Sequence, residues 1–316
     1  MFKLLLPYEV PASVLDKYKD TFEFVGAVDG KEEISMDEAK ELIRDCDAIF
    51  SMRVFPIPEE LLACGEKLRV VTNHGVGYDH IDVAACSRRG ILAINTPQAV
   101  CEPTAEFTMA LLLGITKGIT MFDRNLRRDR VCNIGVFFDR DILLYGKTVG
   151  IVGFGRIGQQ TGRIARALGM KILAYDKAEN DSGRAIGTYV DLDELLSASD
   201  VIALHCPLFP DTQGIINKDT IAKMKDGVIL LNNSRGQLVV EQDLADALNS
   251  GKVYAAGLDV VSTEPIRGDN PLLGAKNCFI TPHISWAPRE SRQRIMDCAV
   301  DNVKAYLRGQ PIHVVN

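Results

Sequence analysis

Short apolar runs alternate with amphipathic stretches along the first third of the chain. Apolar runs rich in β-branched residues are typical of buried strands, and apolar positions three and four apart are typical of helices. The pattern predicts strands at residues 3–6, 21–25, 48–51, 68–72 and 92–95, and helices at 12–19, 36–44, 58–64 and 81–88. Because strands that alternate with helices form parallel sheets covered on both faces, this part is predicted to be an α/β domain.

A long helical pattern at residues 103–128 separates this region from a second alternating region. The second set of strands is predicted at residues 149–152, 172–175, 201–205, 228–232, 255–259 and 279–281, with helices between them at 159–168, 193–198, 218–224 and 241–249. A last helix at 290–307 is predicted to return to the first domain. The predicted fold class is therefore α/β, with two doubly wound parallel-sheet domains at 1–98 plus 286–316 and at 99–285. A cleft between the domains is the expected place for chemistry.

The strand predicted at 149–152 leads into Gly153-Phe154-Gly155-Arg156-Ile157-Gly158. Glycines at this spacing between a strand and a helix are typical of the phosphate-binding turn of a Rossmann domain. Gly153 permits the tight turn, Gly155 lets a pyrophosphate approach the backbone, and Gly158 lets the helix pack closely on the sheet. The helix N-terminus offers free N–H groups and the positive end of its dipole to the phosphates.

An acidic residue, Asp176, ends the next predicted strand, 18 residues after Gly158, as in a dinucleotide-binding unit. Its carboxylate can accept both ribose hydroxyls and would repel a 2′-phosphate, so the sequence favours NAD over NADP. Lys177 follows directly and is expected to soften this preference. The region 99–285 is accordingly predicted to be the NAD-binding domain, and the other domain, of flavodoxin type, is predicted to bind the substrate.

The composition is that of an ordinary globular protein, with 316 residues, 47% of them hydrophobic, 25% charged, and a formal net charge of -6. The densest basic run, at 124–130, is interrupted by Asn125, Leu126 and Asp129, so no nucleic-acid partner is expected. No apolar stretch has membrane-spanning length, and the apolar start of the chain is too short for a signal peptide. The eight cysteines lack C-x-x-C and metal-ligand spacing, which favours reduced thiols, no metal and a cytoplasmic location.

Three polar side chains follow predicted strands of the second domain, where active sites of α/β proteins are found. They are Arg235, Glu264 and His283. Histidine is the usual proton donor near neutral pH when hydride reaches a carbonyl carbon, and a neighbouring carboxylate orients it and favours its charged form. An arginine can bind a substrate carboxylate through two parallel hydrogen bonds. The three residues together predict hydride transfer at the carbonyl of a small acid.

The first domain offers a glycine-rich turn, His74-Gly75-Val76-Gly77, after a predicted strand. Its backbone N–H groups can bind a small anion, although a flexible turn that needs positive φ explains the same residues. Of the remaining histidines, His205 is expected to line the cofactor cleft, His80 to cap a helix or face solvent, and His313 to be exposed.

In this order, the motifs resemble those of the D-isomer-specific 2-hydroxyacid dehydrogenases over nearly the whole chain. The matching segments are GVGYDHID at 75–82, GFGRIG at 153–158, LHCPL at 204–208, NSRG at 233–236, DVVSTEP at 259–265 and PHI at 282–284. The resemblance implies an NAD-dependent oxidoreductase that acts on the CH–OH group of a small 2-hydroxy acid. It also implies a homodimer built largely through the NAD-binding domain.

The resemblance implies a role for each matching residue. Arg235, Glu264 and His283 would be catalytic, and substrate would be bound by Arg235 and by the backbone N–H groups of Val76 and Gly77. The implied cofactor-binding residues are Thr104, Gly153, Gly155, Arg156, Ile157, Gly158, Asp176, Cys206, Pro207, Ser234 and Asp259. Among these, Asp259 would contact the nicotinamide carboxamide, and Thr104 would touch the cofactor from the domain junction.

Within the family, different segments point to different branches. Trp286 and the segment 261–265 resemble glycerate dehydrogenases and hydroxypyruvate reductases, whereas the turn at 75–79 resembles glyoxylate reductases and phosphoglycerate dehydrogenases. His80 stands where many relatives have asparagine. The leading hypothesis is a reductase of hydroxypyruvate or glyoxylate. The alternatives are a D-3-phosphoglycerate dehydrogenase, for which Arg53 is a candidate phosphate ligand, and an NAD(H)-sensing corepressor that keeps the same three residues.

Overall fold

The computed structural model describes residues 1–28, 30–52, 55–130 and 142–316. The chain divides into two compact units. Unit 1 consists of Met1–Val100 and Ala287–Asn316, and unit 2 consists of Cys101–Trp286. The C-terminal segment thus belongs with the start of the chain.

Unit 1 contains, within the described residues, a five-stranded sheet in which every pair of neighbours is parallel. Its strands are β1 (Phe2–Leu6), β2 (Phe22–Gly26), β3 (Ala48–Ser51), β4 (Val70–Asn73) and β5 (Leu92–Ile94), in the order β2-β1-β3-β4-β5. Its first helices are α1 (Ala12–Leu15), α2 (Met36–Leu42), α3 (Glu59–Leu62) and α4 (Val83–Arg88). This strand order is that of flavodoxin-like domains, in which ligands bind at the carboxyl ends of the strands.

Unit 2 contains a seven-stranded parallel sheet in the order β12-β11-β10-β9-β6-β7-β8. The strands are β6 (Thr148–Val152), β7 (Lys171–Tyr175), β8 (Thr188–Tyr189), β9 (Val201–Leu204), β10 (Val228–Asn232), β11 (Val253–Leu258) and β12 (Cys278–Ile280). The helices are α5 (Cys101–Lys117), α6 (Ile119–Asp129), α7 (Arg156–Ala167), α8 (Asp181–Arg184), α9 (Leu192–Ala198), α10 (Lys218–Lys223) and α11 (Glu241–Ser250). The strand order reverses between β6 and β9, which is the switch point where Rossmann domains bind dinucleotides. The α/β class with two parallel sheets is confirmed.

The prediction of one continuous helix at 103–128 is wrong, because two helices occupy this region. Gly118 adopts a φ of 59°, in the left-handed region, and separates α5 from α6 with a bend of 50°. α5 has a buried face, whereas no residue of α6 is buried in this chain. In the described part of the chain no single helix is long and apolar enough to cross a membrane, and only the bent pair α5–α6 meets that test together.

The last helix, α12 (Arg289–Leu307), packs on the sheet of unit 1. Its apolar residues Met296, Val300 and Val303 join the core around Leu4 and Phe50. The tail then forms an antiparallel bridge with β5, where the N–H of residue 315 donates to the carbonyl of residue 93 at 2.9 Å. The end of the chain therefore covers an edge strand of the sheet.

Candidate active site

The turn between β6 and α7 has the shape that the glycine motif predicts. Gly153 has a φ of 91°, and an added Cβ atom would lie 2.3 Å from the backbone nitrogen of Cys206. A Cβ at Gly158 would lie 2.2 Å from the carbonyl oxygen of Gly153. Above Gly155 no atom of the described chain lies within 4 Å of an added Cβ, and no side chain caps α7. An open helix N-terminus fits a pyrophosphate, so these residues suit a dinucleotide.

Asp176, which follows β7, is oriented by this turn. Its Oδ2 atom accepts the N–H of Phe154 at 2.6 Å, which ties the acid to the glycine motif. A carboxylate has further lone pairs with which to accept ribose hydroxyls. On the other side, the Nε2 atom of Gln159 donates to the carbonyl oxygen of Phe154 at 2.8 Å. Gln159 is buried, and sequence reasoning missed it because one polar residue inside a helix gives no periodic signal.

Lys177, which follows the carboxyl end of β7, is paired with Asp211, which lies in the loop after the carboxyl end of β9. Its Nζ atom contacts the carboxylate of Asp211 and lies 5.7 Å from the centre of the Phe209 ring. The hydrogen bond to Asp211 raises the pKa of Lys177, and the same contact lowers the pKa of Asp211. Asp211 thus opposes the positive charge that was expected to soften the preference for NAD.

The loop after β9 carries Cys206 and Pro207 against the glycine turn. Burial raises the pKa of the Cys206 thiol to about 12, so this side chain is neutral at physiological pH. The hydroxyl of Ser234, after β10, donates to the carbonyl of Cys206 at 2.5 Å. Gly153, Cys206 and Ser234 therefore lie side by side. Thr104 is buried in α5, where its carbonyl accepts the hydroxyl of the threonine one turn later at 2.8 Å.

Arg235 lies in a half-buried loop that touches the loop leading to Glu264. A Cβ at Gly236 would lie 1.9 Å from the backbone carbonyl carbon of Val261, so only glycine permits this approach. The Nη1 atom of Arg235 donates to the preceding carbonyl at 2.9 Å. Close packing of two backbones therefore brings the arginine loop to the loop of the acid.

The structure brings Glu264 and His283 together. The Nδ1 atom of His283 lies 2.8 Å from Oε2 of Glu264, and their side chains are 23% and 20% exposed. The second carboxylate oxygen accepts the N–H of Val261 at 3.2 Å, and the indole N–H of Trp286 donates to the carbonyl of His283 at 2.9 Å. A carboxylate at this distance fixes the orientation of the imidazole ring.

Asp259 is fully buried and holds the segment that carries His283. Its Oδ1 atom accepts the hydroxyl of Thr281 at 2.6 Å and the N–H of Ile284 at 2.9 Å, and Oδ2 accepts the N–H of Ser285 at 2.8 Å. Its own carbonyl accepts the N–H of His283 at 2.8 Å. His283 has a φ of 54°, a strained conformation that persists only where the surroundings hold it. Besides the nicotinamide contact that the resemblance implies, Asp259 therefore also has a structural role, which is to hold the segment that carries His283.

Further hydrogen bonds, missed by sequence reasoning, fix the loop between Asp259 and Glu264. Glu241, in the first turn of α11, accepts both the N–H and the hydroxyl of Ser262 at 2.7 Å. The Nε2 atom of Gln237 donates to the carbonyl of Ser262 at 2.8 Å. Both partners lie more than one element away in sequence, so no local pattern reveals them.

In unit 1, the turn that carries Val76 and Gly77 follows β4 and is half-buried. The neighbouring His74 has its Nδ1 atom 3.2 Å from the hydroxyl of Tyr8. Burial lowers the pKa of His74 to about 4, so its imidazole is neutral near pH 7. His74 therefore adds no positive charge to the turn at that pH.

Two histidines differ from the sequence-based expectation. His80 is half-buried, with Nε2 2.7 Å from the hydroxyl oxygen of Ser51, and His313 is half-buried, with Nδ1 2.9 Å from Oδ1 of Asn302. Each meets a polar partner from a distant part of the chain, which a local pattern cannot show. Arg53 lies outside the described residues. Within the described ranges, no group of three His, Cys, Asp or Glu side chains has the arrangement of a metal site.

A switch-point glycine turn and a His–Glu pair at strand ends of the same sheet define the class of nicotinamide-dependent dehydrogenases. A family model described as "D-isomer specific 2-hydroxyacid dehydrogenase, NAD binding domain" matches residues 109–285. The chain belongs to the D-isomer specific 2-hydroxyacid dehydrogenase family, and it is accordingly an NAD-dependent oxidoreductase acting on the CH–OH group of 2-hydroxy acids.

Individual relatives match over nearly the full length. Hydroxypyruvate reductase of Blautia hydrogenotrophica is 53% identical over 289 residues, which are 89% of this chain and 88% of that protein. Glyoxylate reductase of Korarchaeum cryptofilum is 36% identical over 327 residues, which cover 99% of this chain and 96% of that protein. The crystal structure of TT0316 protein from Thermus thermophilus superimposes with a TM-score of 0.91 at 32% identity and covers 100% of both chains.

Proposed function

We propose that the protein reduces a small 2-keto acid, hydroxypyruvate or glyoxylate, to the D-2-hydroxy acid. The observation that carries the proposal is the 2.8 Å contact between His283 and Glu264 in the unit that contains the dinucleotide turn. The similarity to a hydroxypyruvate reductase and a glyoxylate reductase supports this choice of substrates. NADH, when bound, supplies hydride to the carbonyl carbon.

The chain's own residues supply the cofactor contacts. The N–H groups at the start of α7, from Arg156 to Gly158, would hold the pyrophosphate, and Asp176 would accept the ribose hydroxyls. Cys206, Pro207 and Ser234 would line the groove beside Gly153. Asp259 and Thr104 complete the proposed cofactor set. Because Asp176 repels a 2′-phosphate and Asp211 opposes Lys177, the preferred form is NAD rather than NADP.

The proton and the substrate are handled by separate groups. Since Nδ1 of His283 faces Glu264, the proton passes to the carbonyl oxygen from Nε2. Arg235 binds the substrate carboxylate and polarises the carbonyl. The backbone N–H groups of Val76 and Gly77 hold the carboxylate. In this scheme Glu264 keeps the imidazole ring aligned for proton transfer.

A homodimer is the proposed assembly, and the cytoplasm is the proposed location. α6 has no buried residue in this chain, although Ile119 and Leu126 are apolar and exposed. Exposed apolar side chains on one helix are typical of a surface that is covered by a partner. The seven cysteines of the described part are free thiols, in keeping with a reducing compartment.

The test is a panel of 2-keto acids with NADH and purified protein. The proposal expects oxidation of NADH with hydroxypyruvate and glyoxylate, and a lower kcat/KM with 3-phosphohydroxypyruvate. A higher kcat/KM with the phosphorylated acid would favour a phosphoglycerate dehydrogenase instead. Binding of NADH without turnover of any acid on the panel would contradict the proposed reaction and favour a sensor.

A further inference from the structure

The turn at residues 75–77 is held in an unusual way: side-chain amides bind its three successive carbonyl groups. The Nδ2 atom of Asn73 donates to the carbonyl oxygens of Gly75 and Gly77, each at 2.9 Å. The Nδ2 atom of Asn95 donates to the carbonyl oxygen of Val76, also at 2.9 Å. The N–H of Gly75 is bound as well, to Oγ1 of Thr96 at 2.9 Å. The carbonyl of Gly75 also accepts the backbone N–H of Thr96 at 3.0 Å. Two asparagines from the ends of β4 and β5, together with Thr96, therefore orient the peptide groups of the turn.

The orientation of the carbonyls decides where the N–H groups point. In a planar trans peptide, the C=O and the N–H of the next residue point in opposite directions. Because Asn73 holds the carbonyl of Gly75 and Asn95 holds that of Val76, the N–H of Val76 points away from Asn73 and the N–H of Gly77 points away from Asn95. No hydrogen bond within the described chain uses either N–H group. Successive backbone N–H groups in a turn that are left for a ligand can bind a small anion.

Asn73 is present for its donors rather than for its acceptor. Its side chain is 1% exposed, and its Oδ1 atom is buried with no hydrogen-bond partner in the described chain. A buried amide oxygen without a partner is unfavourable, so a residue that leaves one must be retained for another contact. The reversed amide would set its oxygen against two carbonyl oxygens, which fixes the assignment of Nδ2.

Asn95 is in turn anchored to the end of the chain. Its carbonyl accepts Nδ2 of Asn302 at 2.8 Å, and its N–H donates to the carbonyl of His313 at 3.1 Å. The Oδ1 atom of Asn302, which is fully buried in α12, lies 2.9 Å from Nδ1 of His313. All of these residues belong to unit 1. The second amide is therefore rigidly placed by packing that includes the C-terminal tail.

We infer that Asn73 and Asn95 are positioning residues that preset the N–H groups of Val76 and Gly77 for a carboxylate. The inference rests on the proposed function, since that carboxylate is the one on the 2-keto acid. A carboxylate is bound alike before and during hydride transfer. We call the hydrogen bonds from Asn73 and Asn95 to the carbonyls of residues 75–77 the clamp. Loss of the clamp therefore raises KM and leaves kcat nearly unchanged. Asn73 acts through the backbone and does not touch the substrate.

The experiment compares Asn73→Asp and Asn73→Leu with wild type and with Asn217→Ala. Both changes at residue 73 keep a similar size but remove the two N–H donors. Asn217 caps α10 in unit 2 through the backbone N–H groups of residues 219 and 220, so its loss controls for general destabilisation. Steady-state kinetics with hydroxypyruvate, NADH binding, and hydrogen–deuterium exchange of the peptide spanning 74–80 are measured.

At residue 73, KM is expected to rise roughly 10- to 100-fold, with kcat within about threefold, unchanged NADH affinity and faster exchange at 74–80. Asn217→Ala should change none of these. Equal KM and equal exchange in wild type and both residue-73 variants would overturn the inference. If wild type turns over no 2-keto acid, the proposed function fails separately. In that case the inference is tested by the binding of oxamate to wild type and to Asn73→Asp. Equal affinity of both proteins for oxamate would overturn the inference.

Discussion

Asp259 accepts the backbone N–H of Ile284 at 2.9 Å, immediately after His283, the proposed proton donor. Two further donors of the same segment bind this carboxylate. The buried Asp259 therefore holds in place a histidine whose backbone φ lies in the left-handed region. The position of the imidazole therefore depends on a residue at the end of a neighbouring strand as well as on Glu264. Positioning of this kind matters because proton transfer requires the donor to lie within hydrogen-bond reach of the substrate.

Replacing Asp259 with asparagine removes one acceptor oxygen and sets an amide N–H against a bound donor. Each buried donor left without a partner costs about 1–3 kcal/mol, so the free energy of unfolding should fall by that amount. We expect kcat to fall about 100-fold because the imidazole is displaced. Urea unfolding measures the free energy of unfolding, steady-state kinetics measures kcat, and titration measures the Kd for NADH. A rise in the NADH Kd as large as the loss in kcat would instead assign Asp259 chiefly to the nicotinamide.

Cofactor preference should respond to Asp211, which is paired with Lys177. Asp211→Asn removes the negative charge beside Lys177, which then becomes available to a 2′-phosphate bound at the proposed cofactor site. We expect the ratio of kcat/KM for NADPH to that for NADH to rise roughly threefold, a small effect because the pair is exposed and screened. Asp226→Asn, which breaks the exposed pair with Lys252, is the matched control and should leave the ratio unchanged. A ratio unchanged in both variants would rule out a role for Asp211.

Acid should destabilise unit 2 through His205. Burial lowers the pKa of His205 to about 4, whereas an unfolded histidine titrates near 6.5. Between these values the unfolded chain binds more protons than the folded one, so stability falls as the pH drops from 6.5 towards 4. The loss at pH 5 should be about 1–2 kcal/mol.

His205→Gln tests this dependence and can keep a hydrogen bond to Thr161, whose Oγ1 atom lies 3.0 Å from Nε2. Urea unfolding of wild type and variant at pH 7 and pH 5 gives the comparison. The variant should lose less stability on acidification than wild type. Equal losses in both proteins would mean that another group carries the acid sensitivity.

The sequence predicts the two sheets well because buried parallel strands are continuous apolar runs. It does not predict the break at Gly118, since a glycine inside a helical pattern is compatible with a continuous helix. The two-residue strand Thr188–Tyr189 is too short to leave a pattern. Local periodicity therefore determines the main elements but not their interruptions.

In the candidate site, too, local sequence patterns predict some features and long-range contacts determine the others. Arg235, Glu264 and His283 were predicted because each lies in a loop that follows an apolar strand, and the glycine motif was predicted because its spacing is fixed. The clamp of Asn73 and the contacts of Asp259 were not found, because their partners depend on how the chain folds back on itself. The left-handed φ of His283 also has no counterpart in the sequence. Positioning residues act through such long-range contacts.

The most direct measurement is the kcat of His283→Ala with hydroxypyruvate, alongside its Kd for NADH. Loss of a general acid is expected to lower kcat by roughly 100- to 10,000-fold. The Kd for NADH should stay within about twofold of wild type, because the glycine turn and Asp176 are untouched. Near-normal kcat, or a loss of activity matched by an equal loss of NADH affinity, would contradict the role of His283 as the proton donor.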